Sequence, residues 1–149
     1  MKRYLVLSAV VLASCTGNGN QKNRAVDAET PEQDKHYCFQ RTEGTNDQDT
    51  TTVHFTLLAN NIEGEMEWVP YEKDSRKGTL TGTVSGDEIT AVWSYMQEGV
   101  KDSIVVAFKL SAQQLAQKPL RVNTVSGRQE TDKDADYTLV YLPYDCVSP

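Results

Sequence analysis

No run of apolar residues in this chain is long enough to cross a bilayer as a helix. The longest, Tyr4 to Leu12, holds about nine mainly apolar residues where a spanning helix needs about twenty. Basic residues are also in the minority: Lys and Arg total 15 against 21 Asp and Glu, a formal net charge of −6 with no basic stripe. That balance excludes a nucleic-acid backbone as partner. Histidine is scarce, with only His36 and His54, on separate predicted strands and without a third ligand, so no metal site and no cofactor are expected. There is no Cys-x-x-Cys, Gly-x-Ser-x-Gly, phosphate-binding loop or His-Glu-x-x-His, and hence no motif that would make this an enzyme. Five prolines and nine glycines are too few for a disordered Pro/Gly-rich chain, and 38% hydrophobic residues fit one globular core.

What is present begins with an export signal. Lys2 and Arg3 supply the positive end, Tyr4 to Leu12 the apolar stretch, and Leu12-Ala13-Ser14-Cys15 resembles the lipobox of bacterial lipoproteins. The expectation is a signal peptide over 1–14, cleaved before Cys15, whose thiol carries diacylglycerol and whose new amine takes a further acyl chain such as palmitate. Several acyl chains, at roughly 0.8 kcal/mol per buried methylene, anchor a protein firmly without a transmembrane helix. Without Lys2 and Arg3 the mature charge becomes about −8. Thr16, where some bacteria use aspartate for inner-membrane retention, points to the outer membrane, on its periplasmic or surface face. Residues 15–35 are dominated by Gly, Asn, Gln, Asp, Glu and Lys and cannot offset their own ordering entropy; they read as a flexible tether with a reach of roughly 25 Å.

Lipidation of Cys15 also settles the odd cysteine count. Cys38 and Cys146 remain, in a compartment where disulfides persist. A bond between them closes a loop of about 107 residues, worth roughly 4–5 kcal/mol in the chain-entropy model; the alternative is two free buried thiols.

From residue 36 to 149 the chain breaks every ten residues or so at Gly, Asn or Asp, between runs rich in Val, Thr, Ile, Tyr and Phe. Predicted strands are His36–Arg41, Thr50–Ala59, Ile62–Val69, Gly78–Ser85, Glu88–Met96, Asp102–Leu110, Leu120–Val125 and Tyr137–Tyr144, with Ser111–Lys118 a strand or a single turn. Asn60-Asn61 and Gly86-Asp87 are the predicted tight turns. Ile62–Val69 alternates most clearly: Glu63, Glu65 and Glu67 face solvent, while Gly64, Met66 and Trp68 face inward with Leu80 and Val84, and Gly78, Gly82 and Gly86 share that inner face. Inward glycines let a sheet coil sharply. The fold class is therefore all-β: a small antiparallel meander of seven or eight strands, expected to close into a barrel, with a tightly coiled sandwich as the alternative. Trp68, Trp93, Tyr95, Phe108 and Tyr141 are the aromatics expected inside, either as packing or as the lining of a ligand cavity.

Glu72 to Thr79, Gly82-Thr83, Gly86-Asp87 and Tyr95 to Gly99, with Cys146 near the end, give the chain a likeness to a known group. It resembles a family of small, uncharacterised envelope lipoproteins of Bacteroidota-type bacteria, which implies a calycin-like barrel and an envelope location. His36-Tyr37-Cys38 is more loosely similar to the start of membrane-bound lysozyme inhibitors. The functional expectation is a lipid-anchored, non-catalytic binding module for a small apolar or glycan-like ligand, with the membrane as partner through Cys15. A module binding an envelope protein, for instance an inhibitor of a lysozyme or other hydrolase working through Thr42–Asp49 or Pro70–Lys77, is the alternative; an enzyme is a second.

Overall fold

The computed structural model describes residues 34–146. The lipobox with Cys15, the signal peptide and nearly all of the tether lie outside them. Ten strands follow in order: β1 (Lys35–Glu43), β2 (Asp49–Leu58), β3 (Asn61–Val69), β4 (Arg76–Ser85), β5 (Glu88–Gln97), β6 (Val100–Leu110), β7 (Leu115–Gln117), β8 (Leu120–Val122), β9 (Gln129–Thr131) and β10 (Leu139–Pro143). Eight of them close an antiparallel barrel in the order β1-β10-β7-β6-β5-β4-β3-β2, and β8 and β9 form a separate hairpin inserted before the last strand. The expected all-β meander and its closure are what the chain forms.

Alternation puts one face of the long barrel strands into the core, most strictly on β5. On β5, Ile89, Ala91, Trp93 and Tyr95 are buried while Thr90, Val92, Ser94 and Met96 are exposed. Facing them lie Val53, Phe55, Met66, Leu80, Val106, Phe108 and Tyr141, all buried in one cluster. Each such side chain contributes about 1.5–3 kcal/mol through burial, which lets so small a barrel stand without helices.

Three inward glycines, Gly64, Gly78 and Gly82, are dictated by backbone contact. A Cβ on Gly64 would lie 2.0 Å from the His54 carbonyl oxygen, and one on Gly78 would lie 1.9 Å from the Ser94 carbonyl oxygen. There the partner strand's backbone occupies the side-chain position, which is how the sheet coils tightly enough to close. Gly86 is different: it sits in the β4–β5 turn at φ +65° rather than on the inner wall. The β2–β3 turn also shifts from its predicted place. Leu58 pairs with Asn61, so Ala59 and Asn60 make the turn, with Ala59 at φ +50°. Register decided this, because Leu57 must face Ile62 to keep both on the inner side.

The glutamates of β3 point outward as expected. His54 Nε2 lies 3.5 Å from Glu65 and Lys77 Nζ 3.6 Å from Glu67. Such exposed pairs contribute little stability and explain the three carboxylates as a solvated face.

Ser111–Lys118 is both turn and strand: Ser111 caps a turn through Gln114, and β7 follows. The polar stretch Ser126–Asp136 holds β9, which no hydrophobic alternation announces. Its hairpin has a structural task. β7 pairs with only Phe108–Leu110 of β6, and β10 meets β1 only at Phe39 and Gln40, so the wall is short on that side. The hairpin packs along the uncovered part of β6, with Thr131 Oγ1 donating to the Val105 carbonyl at 2.6 Å.

The barrel has two distinct ends. The chain enters where Lys35 pairs with Leu57; the β2–β3 and β4–β5 turns lie at this proximal end. The Cys38–Cys146 disulfide ties the last residues back to β1, with the Cα atoms 5.5 Å apart. At the opposite, distal end are the loop after Glu43, the connection between β3 and β4, and the Gln97–Val100 turn.

Candidate functional site

The core is filled through the proximal half of the barrel, and space opens at the distal end. There a cavity of about 180 Å³ lies between the ends of β1 and β3, the starts of β2 and β4, and the β8–β9 hairpin. Its walls include Met66, Trp68, Trp93, Leu120, Leu139 and Tyr141, and its polar groups come from Arg41, Glu43, Thr51, Arg76, Gln117 and Gln129. At about 30 Å³ per water this is room for about six waters, well below the pocket of a drug-sized ligand at roughly 300–1,000 Å³. A long lipid does not fit.

Arg76 organises the mouth. Its guanidinium carbon lies 5.2 Å from the Trp68 ring centre and 5.0 Å from that of Tyr95, two cation–π contacts worth roughly 0.5–2 kcal/mol each. Nε donates to Gln97 Oε1 at 2.8 Å and Nη1 to Gln129 Oε1 at 2.6 Å. Both acceptors are neutral, and no carboxylate among the described residues forms an ion pair with Arg76. Arg41, the other cation at the cavity, is paired with Glu43.

Gln117 and Tyr141 form the cavity floor. Both are 2% exposed. The Tyr141 hydroxyl donates to Gln117 Oε1, and burial pushes the phenol far above its ordinary range, so the hydroxyl stays a donor. With its oxygen so engaged, the Gln117 carboxamide presents its NH2 group toward the cavity. Trp93 Nε1–H is satisfied by the Met66 carbonyl at 2.9 Å, leaving the indole as an apolar wall.

A second hollow, a cleft of about 350 Å³, lies on the other side of the Arg76–Gln129 contact, between the β5–β6 turn and the hairpin tip. Asp102 there accepts from the Ser103 backbone N–H and from Arg128, which hold its carboxyl below the usual range, with Arg76 adding to the field. Glu98 on the turn is hydrogen-bonded to Asp74, and that bond with the adjacent negative charge raises its pKa. A broader groove on the outer wall carries His36, whose Nδ1 is 2.9 Å from Thr56 Oγ1, together with His54. No three His, Cys, Asp or Glu side chains among the described residues are placed to hold a metal, and no helix among them is long and apolar enough to cross a membrane.

The five aromatics singled out from the sequence thus separate. Trp68, Trp93 and Tyr141 line the cavity, Tyr95 supports Arg76 and faces the cleft, and Phe108 packs edge-on to Tyr141 in the closed core at a 6.4 Å ring separation. Sequence reasoning missed Arg76, Gln117 and Gln129. Arg76 was legible in principle, because it shares parity with Gly78 and Leu80 and so extends the inner face of β4 by one position. Gln117 lay in an ambiguous segment and Gln129 outside every predicted strand.

Comparison of the chain with protein-family models, curated protein sequences and solved structures returned no match.

Proposed function

We propose that this protein is a lipid-anchored envelope lipoprotein, acylated at Cys15, whose barrel is a non-catalytic binding module taking a small ligand at its distal end. The observation that carries the reading is the aromatic-walled cavity of about 180 Å³ with the unpaired, ring-stacked Arg76 at its mouth. The cavity lies at the end of the barrel opposite the one at which the chain enters β1. The ionisable groups around it support binding over catalysis: Arg41 and Glu43 neutralise each other, and Tyr141 is kept protonated, which leaves no free general base in the cavity. The size restricts the ligand to a single ring with substituents, narrower than the apolar or glycan-like range expected from sequence.

The test is a ligand screen read by tryptophan fluorescence, since both tryptophans of the chain line the cavity. Small cyclic compounds are expected to change the emission of the parent protein and to bind more weakly to a Trp68→Ala variant, in which Trp93 still reports; an unchanged spectrum of the parent across the screen would remove the reading. Labelled palmitate is expected to enter the parent and not Cys15→Ser, and equal labelling would remove the anchor.

A protein-binding module at the same rim is the second reading. Val69, Tyr71 and Val100 are 44%, 53% and 66% exposed on the distal loops, and the Tyr71 N–H is fixed by Asp49 at 2.6 Å. Inhibition of a lysozyme or protease by the purified protein, lost in Tyr71→Ala, would favour it.

A further inference from the structure

We infer that the distal cavity recognises a carboxylate carried on a small ring, with Arg76 at the mouth holding the carboxylate and Gln117 on the floor donating at the other end of the ring; the inference rests on the binding role proposed above. A guanidinium has five N–H donors, and Arg76 spends two of them on the neutral oxygens of Gln97 and Gln129. The other three have no acceptor among the described residues, and the group is only partly exposed. A half-buried cation with no carboxylate at ion-pair distance, the nearby Asp102 being bound to Arg128, favours an anion over a neutral carbonyl, because desolvation has already weakened water's competition for it. The Trp68 and Tyr95 rings hold the guanidinium plane in place, so little further ordering is needed when an anion docks.

The second donor is independent of the first. Gln117 is a polar residue only 2% exposed, on the floor of the same cavity. Its oxygen is taken by Tyr141, and its NH2 has no hydrogen-bond partner among the described residues. The cation at the mouth suits the carboxylate, and the neutral donor on the floor suits a hydroxyl or carbonyl oxygen at the other end of the ring. The competing charge in the wall, Glu43, is bound to Arg41 and does not oppose an anion strongly. Between the donors the walls are Trp68, Trp93, Leu139 and Met66, which fit a flat or puckered ring.

A sugar acid and an apolar ring acid both carry this group, and the probes separate them. The purified protein, isotope-labelled for NMR, is titrated with cyclohexanecarboxylate and with glucuronate, each against its neutral partner, cyclohexylmethanol and glucose. The two indole N–H signals and the Arg76 Nε–H signal report binding at the cavity. At least one acid is expected to bind about tenfold or more tightly than its neutral partner, and the responding acid identifies the source. Arg76→Gln is expected to erase that preference, with far-UV circular dichroism confirming the fold; the acid-versus-neutral comparison on the parent protein stands even where the variant fails to fold. Equal affinity of acid and neutral partner would overturn the carboxylate inference while leaving ligand binding at the distal end intact. No response of either indole to any of the four compounds would overturn both.

Discussion

Replacing Gly78 by alanine, like replacing Gly64, should be among the most damaging single-methyl additions to this barrel. The new Cβ would stand 1.9 Å from the Ser94 carbonyl oxygen and 2.5 Å from the Tyr95 Cα, where non-bonded contact requires about 3.5 Å or more. Both obstructing atoms belong to backbone, so no side-chain rotation relieves the overlap, and β4 and β5 must part by more than about 1 Å. Parting breaks ladder hydrogen bonds around Gly78–Tyr95, at about 1 kcal/mol each, and adds the roughly 1–3 kcal/mol of overpacking. Set against this is a gain of about 0.4–1 kcal/mol from the stiffer unfolded chain. The expected net loss is about 3–4 kcal/mol, a large share of the roughly 5–15 kcal/mol that holds a domain of this size. Gly86→Ala is the control: nothing lies within 4 Å of its Cβ, and only the φ of +65° costs, at about 1–2 kcal/mol. Urea unfolding followed by fluorescence of the buried Trp93 measures both. If Gly78→Ala loses less than Gly86→Ala, the backbone-approach argument is wrong.

Replacing both Cys38 and Cys146 by alanine opens a cross-link between positions 108 apart and should lower stability by about 4–5 kcal/mol in the chain-entropy model; calorimetry showing a loss under about 1 kcal/mol would refute it. Tyr141→Phe removes the donor to Gln117 Oε1 and should cost about 1–2 kcal/mol in chemical denaturation, with a loss near zero counting against a satisfied buried pair. Asp74→Asn should bring the titration of Glu98 down toward the ordinary glutamate value, read by carboxyl-carbon NMR. The sign follows from linkage: a folded pKa above the unfolded one gives a contribution fully present at low pH and lost as pH rises through the folded value. The Asp74→Asn substitution should abolish that loss, and an unmoved Glu98 midpoint would show that Asp74 is not its cause.

How much of this was legible in the sequence differs from strand to strand. β5 could be read directly, because Ile89, Ala91, Trp93 and Tyr95 recur at every second position with Glu88, Thr90 and Ser94 on the other face, and both bounding turns contain glycine. The outward glutamates of β3 and the inward Gly64 and Gly78 followed from the same parity. β9 could not be read: Gln129–Thr131 is three polar residues, stabilised by pairing with Leu120–Val122 and by the Thr131 bond to β6 rather than by its own pattern. Ala59 took the positive φ predicted for an asparagine because cross-strand register outweighs local turn preference.

By itself, then, the sequence determined the β class and the inward and outward faces of the long strands, since period-two alternation is local, whereas the bond between Cys38 and Cys146, one of two alternatives in the sequence, was decided by the fold that brings their Cα atoms to 5.5 Å. Only the tertiary structure decided where the barrel stays open. The cavity exists because β7 and β10 are too short to complete the wall, and Arg76, Gln117 and Gln129 meet there from strands far apart in the chain. That meeting is fixed by closure of the sheet, a long-range event that no window of residues encodes.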